Sequence, residues 1–85
     1  MTGFVKIINH ERGIIAVEVV DTNDFTVFEY NSPYAVKIGD IISGNLDSKG
    51  CKALTNLSNY NKMDVIIQGV NCTLQNAHHL MEHSI

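Results

Sequence analysis

Residues 3–30 read GFVKIINHERGIIAVEVVDTNDFTVFEY, and the pattern of this stretch decides the fold. Three segments within it are rich in β-branched and aromatic residues, which favour strands; they lie at 3–9, 14–20 and 25–30. The first connection ends in Gly13, which tolerates a positive φ, and the second is the turn-forming sequence DTND at 21–24. The stretch therefore predicts a β-hairpin followed closely by a third strand.

The rest of the chain continues this alternation of short apolar segments and turns. Further strands are predicted at 40–46, 51–58 and 63–74, with Gly69 indicating a bulge or bend in the last of them. Residues 75–84 contain helix formers and predict either a short helix that packs Leu80 on the barrel or a frayed end. Together these elements predict an all-β fold, namely a small OB-like five-stranded barrel with an extra C-terminal strand and a short C-terminal helix.

Composition narrows the class of protein. The 85 residues are 45% hydrophobic and 18% charged, a balance that indicates one small folded domain spanning 1–85. No apolar run approaches the roughly 20 residues of a membrane helix, and the N-terminus lacks a signal-peptide pattern. We therefore expect a cytoplasmic protein with no membrane partner. The net charge of −3 argues mildly against nucleic acid as a partner, because nucleic-acid binders usually carry a basic surface.

Several short motifs occur in the order and spacing of a known family. Gly3 is followed by VKIIN at 5–9, RGIIA at 12–16, TVFEY at 26–30, GDIIS at 39–43, KG at 49–50 and ALTNL at 53–57. With these motifs, residues 1–58 resemble a bacterial cold-shock domain, a small OB-fold that binds single-stranded RNA and DNA. Residues 59–85 have no counterpart in that domain and form a C-terminal extension.

The resemblance implies a base-stacking face that this chain retains only in part. The family stacks bases on aromatic rings, which contribute about 1–3 kcal/mol per base. Three of the ring positions are Ile7, Ile14 and Ala16 here, whereas Phe28 remains and Tyr30 stands where the family has a histidine. The resemblance places these five residues together on the former nucleic-acid face. Tight binding of nucleic acid is therefore not expected.

Strand alternation raises a question about Glu29, which falls opposite Phe28, at a position where the family has a buried valine. A buried, unpaired carboxylate is costly. Glu29 is therefore expected either to have a cationic partner or to lie at the end of the strand. The third alternative is that the strand register assumed here is shifted by one residue.

Two functional hypotheses follow from the altered face. An exposed apolar surface usually marks an interface, so we expect a non-enzymatic binding module. Its former nucleic-acid face is then covered by its own segment 63–74 or by a protein partner, most simply in a homodimer. The alternative is weak binding of single-stranded RNA or DNA, with Lys6 and Arg12 as the cations beside the face.

Other chemistry-bearing residues have ordinary structural interpretations. His79 and His83 would share one face of a helix and are candidate metal ligands, with only Glu82 or the distant Cys72 to complete a site, but solvated histidines on the tail are the favoured interpretation. Cys51 and Cys72 are expected to be small core residues rather than a redox pair. The aspartates fall in turns, and no nucleophile elbow, phosphate loop or zinc motif is present. We therefore expect no cofactor and no enzymatic activity.

Overall fold

A computed structural model of the protein describes the backbone of residues 1–83 and the side chains of residues 1–82. Within this range the strands are β1 (Thr2–Asn9), β2 (Ile14–Val19), β3 (Phe25–Glu29), β4 (Ile41–Ser43), β5 (Gly50–Asn56) and β6 (Asn61–Cys72). A helix, α1 (Leu74–His83), follows β6, and a single 3₁₀ turn lies at Pro33–Ala35. The strands form a closed antiparallel barrel in the order β1-β2-β3-β6-β5-β4. This confirms the predicted all-β barrel with an added strand and a short C-terminal helix.

The first connection shows why local sequence directs the meander of β1, β2 and β3. Gly13 has φ 65, and a Cβ atom added there would lie 2.7 Å from the carbonyl oxygen of Tyr30. The same turn is tied to the end of β3, because the Tyr30 amide donates a 2.7 Å hydrogen bond to the Gly13 carbonyl. Glycine is thus required both by the backbone conformation and by the close approach of the neighbouring segment.

Strand β6 forms one wall of the barrel. It pairs with β5 on one side and with β3 on the other, so it joins the two ends of the sheet. Of the two covers predicted for the face that the resemblance implies, segment 63–74 is therefore not the one, because it closes the barrel instead. The predicted irregularity near Gly69 is confirmed, because Val27 pairs with Gly69 whereas its neighbour Phe28 pairs with Ile67. Between these two pairs β6 contains one residue more than β3, which is a β-bulge. A bulge bends a strand and increases its twist.

The buried apolar residues form two separate clusters. The interior cluster fills the barrel and consists of Val5, Ile15, Val17, Val19, Phe28, Val36, Ile42, Leu46, Leu54, Met63, Val65 and Ile67. The outer cluster lies between the sheet and α1 and consists of Ile14, Ala16, Phe25, Val27, Cys72, Ala77 and Met81. Strands β2 and β3 are consequently buried on both faces over most of their length.

Helix α1 has 10 residues and lies against β2, β3 and β6. No helix in the described part of the chain is long and apolar enough to cross a membrane.

Candidate functional site

The candidate site is the outer face of β1, β2 and β3, which carries most of the positions expected on the former nucleic-acid face. A bulge in β1 brings Ile7 onto this face. Val5 pairs with Val17, but Ile7 pairs with Ala16, so Lys6 is the extra residue. Because of this insertion, Val5 belongs to the interior cluster while Ile7 packs against the outer one.

Ile14 and Ala16 lie side by side on the outer face of β2 and are covered. Their exposed fractions are 2% and 0%, and they share the outer cluster with Ala77 and Met81 of α1. The sequence-based alternatives for this face are the chain's own segment 63–74 or a second subunit. In the structure, α1 of the same chain covers this face. This helix follows segment 63–74, which is one of the two predicted covers.

Phe28 and Tyr30 do not share this face, and the expectation that they do is wrong. Phe28 is 0% exposed and belongs to the interior cluster, against which Tyr30 also packs. The cause is the register between β2 and β3, which places Val27 beside Ala16 and Phe28 beside the inward-facing Ile15. A base cannot stack on Phe28 while the barrel is closed.

The same register answers the question about Glu29. Glu29 is the last residue of β3, pairs with Ile14, and is only partly buried. Its carboxylate therefore lies on the outer side at a strand end, where water reaches it, rather than in the barrel interior.

The two candidate cations lie at the surface and are not part of the covered face. Lys6 Nζ lies 3.6 Å from the carboxylate of Glu18, and about half of the lysine side chain is exposed. An exposed pair of this kind contributes little to stability. Arg12 lies in the turn between β1 and β2, where its amide donates a 3.2 Å hydrogen bond to Asn9 Oδ1.

Three features hold α1 on the outer face. Thr73 caps the helix start, since its hydroxyl oxygen accepts a 3.1 Å hydrogen bond from the amide of Asn76. Near the helix end, Asn9 Nδ2 donates a 3.2 Å hydrogen bond to the Met81 carbonyl. Between them Gly69 leaves room for the helix, because a Cβ atom there would lie 2.5 Å from Leu80 Cδ1.

The residues of α1 that cover the face were not singled out from the sequence as site residues, apart from Leu80. A signal for them exists: Ala77, Leu80 and Met81 have the i, i+3, i+4 spacing of one apolar helix stripe. Ala77 and Met81 are buried and Leu80 is partly buried, as that spacing implies.

The two cysteines have different environments and no disulfide joins them. Cys72 belongs to the outer cluster, whereas Cys51 is exposed on β5, so the expectation of a core position is wrong for Cys51. Burial raises the pKa of the Cys72 thiol above its ordinary value of 9.0, with Lys49 lowering the pKa and Asp24 raising it by smaller amounts. Cys72 is therefore a protonated, shielded thiol next to α1.

The histidine and aspartate side chains of the described residues do not cluster as metal ligands. His79 lies on the exposed side of α1, and the side chain of His83 lies outside the described residues. Among residues 1–82 no group of three potential metal ligands occurs. Asp40 has a structural role, since its Oδ2 atom accepts hydrogen bonds from the Lys37 amide and from Asn56 Nδ2.

A second concave surface lies at the barrel end where β1 and β3 finish. The groove has a volume of about 410 Å³ and is lined by His10, Glu11, Arg12, Gly13, Glu29, Tyr30, Asn31, Pro33, Asp64 and Ile66. At its margin the rings of His10 and Tyr34 stack with centroids 4.5 Å apart, and Tyr34 is 79% exposed. His10 of this pair lines the groove together with Arg12.

Comparison of the chain with models of protein families, with curated proteins and with solved structures finds no match. The fold and the site define the class of protein on their own: a small closed β-barrel whose apolar outer face is capped by a C-terminal helix.

Proposed function

We propose that the protein is a non-enzymatic, cytoplasmic binding module of the OB-like, cold-shock type in which the former nucleic-acid face binds an amphipathic helix. The observation that carries the proposal is the burial of Ile14 and Ala16 against Ala77 and Met81. Where the resembling family has stacking rings, this chain has side chains that fit a helix. Protein association replaces base stacking as the role of this face.

The chemistry of the face supports a helix as its ligand. Ala16 and Ala77 are both 0% exposed, and small residues allow two backbones to approach closely. Gly69 leaves a further depression that Leu80 occupies. Burial of a side chain as large as Met81 contributes about 1.5–3 kcal/mol, and the smaller Ala77 and the partly buried Leu80 add to it.

A peptide competition experiment tests this function. A labelled peptide with the sequence of residues 73–83 is titrated into the full chain carrying Met81→Ala, which weakens the resident helix. We expect saturable binding that is lost when Ala16→Glu is added, because a carboxylate would then lie in the apolar face. Ala53→Glu, at an exposed alanine on β5, is the matched control and leaves binding unchanged. Equal binding to the Ala16→Glu and Ala53→Glu chains contradicts the proposal.

A second candidate function is weak binding of single-stranded RNA or DNA. The observation in its favour is the exposed Tyr34 ring, stacked on His10 at the barrel end that carries Arg12. Exposed aromatic rings beside a cation are the usual means of sequence-independent base stacking. This surface differs from the one that the family resemblance implies.

Fluorescence anisotropy with mixed single-stranded oligonucleotides at low salt tests the second function. Binding that Tyr34→Ala weakens, while Val20→Ala at the opposite barrel end leaves it unchanged, supports it. Absence of binding at about 100 μM protein contradicts it, because even non-specific binders reach that range.

A further inference from the structure

We propose that the open edge of β6 binds an extended, basic peptide as an added strand in the barrel-end groove. The open edge consists of the main-chain N–H and C=O groups of Lys62 and Asp64. The barrel-end groove is the concave surface described above at the end of β1 and β3, which Asp64 lines. This site lies apart from the outer face that α1 covers, so the inference does not depend on the helix-binding function.

Strand β6 extends beyond the end of β3. It pairs with β5 from Asn61 to Ile67, whereas β3 pairs with it only from Ile66 onward. Within the described chain, residues 61–65 therefore have a neighbouring strand on one side only. A strand edge of this kind presents unpaired main-chain donors and acceptors, which can pair with another extended segment.

The hydrogen bonds of β3 show which groups of β6 face the open edge. In an antiparallel sheet, successive residues of a strand direct their main-chain groups to opposite neighbours. The Tyr30 amide donates a 2.7 Å hydrogen bond to the Gly13 carbonyl on the β2 side, so the preceding Glu29 faces β6 and its partner Ile66. Ile66 thus bonds toward β3. Asp64, two residues earlier in β6, faces the same side at a point that β3 does not reach.

The hydrogen bonds of β5 lead to the same result independently. The Leu57 amide donates a 2.7 Å hydrogen bond to a carbonyl of β4, so Leu54, three residues earlier, faces β6 instead. Leu54 pairs with Met63, whose main chain therefore bonds to β5. Lys62 and Asp64, on either side of Met63, face the opposite edge. No other part of the described chain forms a main-chain hydrogen bond with them there.

The barrel-end groove gives a ligand access to this edge. Its volume of about 410 Å³ lies within the range of ligand-binding sites. Its lining includes Asp64 and Ile66 of β6 together with Asn31 and Pro33, which belong to the segment that follows β3. The groove therefore lies where β3 would continue along β6. An extended peptide in that position would pair with the open edge, as in other cases of strand addition.

The charges of the groove indicate a basic peptide. The lining contains the carboxylates of Glu11, Glu29 and Asp64 but only one guanidinium, that of Arg12. This excess of negative charge attracts cationic side chains and repels phosphates, so it favours a peptide over a nucleic acid. Ile66, which is 48% exposed, adds an apolar contact. Lysines that alternate with β-branched residues match both features, and β-branched residues favour an extended backbone.

Amide hydrogen exchange, followed by NMR on the full chain, tests the open edge itself. In the free chain the amides of Lys62 and Asp64 should exchange at least about tenfold faster than those of Met63 and Val65, which bond to β5. An Asp64 amide that is already as protected as that of Val65 overturns the inference, because the edge would then not be open.

Binding is tested with the probe peptide acetyl-Val-Lys-Val-Lys-Val-Lys-Val-amide, for which we expect a dissociation constant below about 1 mM. At saturation the peptide should slow exchange of the Asp64 amide by at least about tenfold, because the amide then has an acceptor. Absence of binding at about 1 mM peptide overturns the inference. Binding that leaves the exchange of Asp64 unchanged overturns it as well.

Two control peptides separate strand pairing from charge attraction alone. The probe peptide with a methyl group on every backbone nitrogen keeps its lysines but loses its main-chain donors, and it should bind at least about tenfold more weakly. The probe peptide with glutamate in place of each lysine should not bind. Equal binding of the methylated and unmethylated peptides overturns the inference.

Substitutions in the chain test the charges of the groove. Glu29→Gln together with Asp64→Asn should weaken binding of the probe peptide by about tenfold, because each exposed ion pair contributes about threefold. The matched control is Asp21→Asn together with Asp47→Asn, which removes the same charge from exposed aspartates outside the groove lining. Equal weakening by the two double variants overturns the inference, because the attraction would then come from net charge alone.

Competition experiments identify the surface and the class of ligand. An excess of the 73–83 peptide should not displace the probe peptide, since the two peptides use different surfaces. Displacement would place the probe peptide on the outer face and overturn the inference. A single-stranded oligonucleotide that displaces the probe peptide, and that Asp64→Asn binds more tightly, would assign the groove to nucleic acid and overturn it too.

Discussion

The thiol of Cys72 makes opening of α1 directly measurable. Cys72 lies in the outer cluster, and its Sγ atom lies 3.0 Å from the position that a Gly69 Cβ would occupy, beside Leu80. Cys72 is only 8% exposed, so a thiol reagent is expected to react with this sulfur much faster when the helix moves away. With the exposed Cys51 replaced by serine, the labelling rate of Cys72 reports the open fraction of α1.

The perturbation is Met81→Ala, which removes a side chain that is 2% exposed from the contact between helix and sheet. Truncation of a buried methionine to alanine costs about 2–5 kcal/mol. The lower value applies to a helix at the surface, whose site collapses more readily than a barrel interior. Since about 1.4 kcal/mol corresponds to a tenfold change in an equilibrium constant, the open fraction should rise about 30-fold.

Labelling is followed with a chromogenic disulfide reagent at mildly alkaline pH. The reagent is kept dilute, so that the helix closes faster than the open thiol reacts. In that regime the rate is proportional to the opening equilibrium. The matched control is Leu74→Ala, because Leu74 is 51% exposed at the start of the same helix. We expect this control to change the rate by less than about threefold, as surface substitutions usually alter stability by about 0.5 kcal/mol or less.

Two results would refute the reasoning. If Cys72 in the unmodified helix reacts as fast as the exposed Cys51, α1 does not shield the outer face. If the free energy of opening obtained from Cys72 labelling equals the free energy of global unfolding, in the unmodified chain and in Met81→Ala alike, α1 opens only together with the barrel. In that case the helix is not a separate unit.

Three further predictions concern the barrel and the shielded thiol. Thr26→Val removes a 2.7 Å hydrogen bond from the Thr26 hydroxyl to the buried Leu46 carbonyl and should lower the free energy of unfolding in urea by about 1–3 kcal/mol. Gly13→Ala should lower the thermal midpoint more than Gly39→Ala, because both glycines have positive φ but only Gly13 has a backbone oxygen 2.7 Å from the added Cβ. Equal effects of the two substitutions would contradict that contact. The raised pKa of Cys72 means that the unfolded chain releases its thiol proton first, so stability should fall as pH rises above 9.0. Cys72→Ser should reduce that slope in unfolding measured between neutral and alkaline pH.

Local sequence explains how the meander of β1, β2 and β3 was predicted. Gly13 and the DTND turn at 21–24 act through their own backbone preferences, which do not depend on the rest of the chain. The structure places Asn23 at φ 60 and Gly13 at φ 65, as turns of this kind need. Strand 40–46 was predicted too long, because β4 ends at Ser43 where Gly44 turns with φ 145.

The assignment of faces was less predictable than the strands. Alternation correctly placed Phe28 and Glu29 on opposite sides of β3, but the inward side is chosen by pairing with β2. A one-residue change of register exchanges every side chain between the two faces. The β1 bulge at Lys6 adds a second such choice, since it turns Ile7 outward beside Ala16. Neither the register of β3 against β2 nor the bulge in β1 can be read from the sequence of the strand concerned.

The sequence by itself determined that this chain forms a small all-β barrel with a short helix after its last strand, because turn chemistry and apolar periodicity act over a few residues. It also showed that Ile7, Ile14 and Ala16 cannot stack bases as aromatic rings do. Only the tertiary structure decided that α1 covers these residues and that Phe28 lies inside the barrel. Those outcomes depend on strand register and on contacts between segments far apart in the chain. The apolar pattern of a single segment does not specify which surface it will pack against.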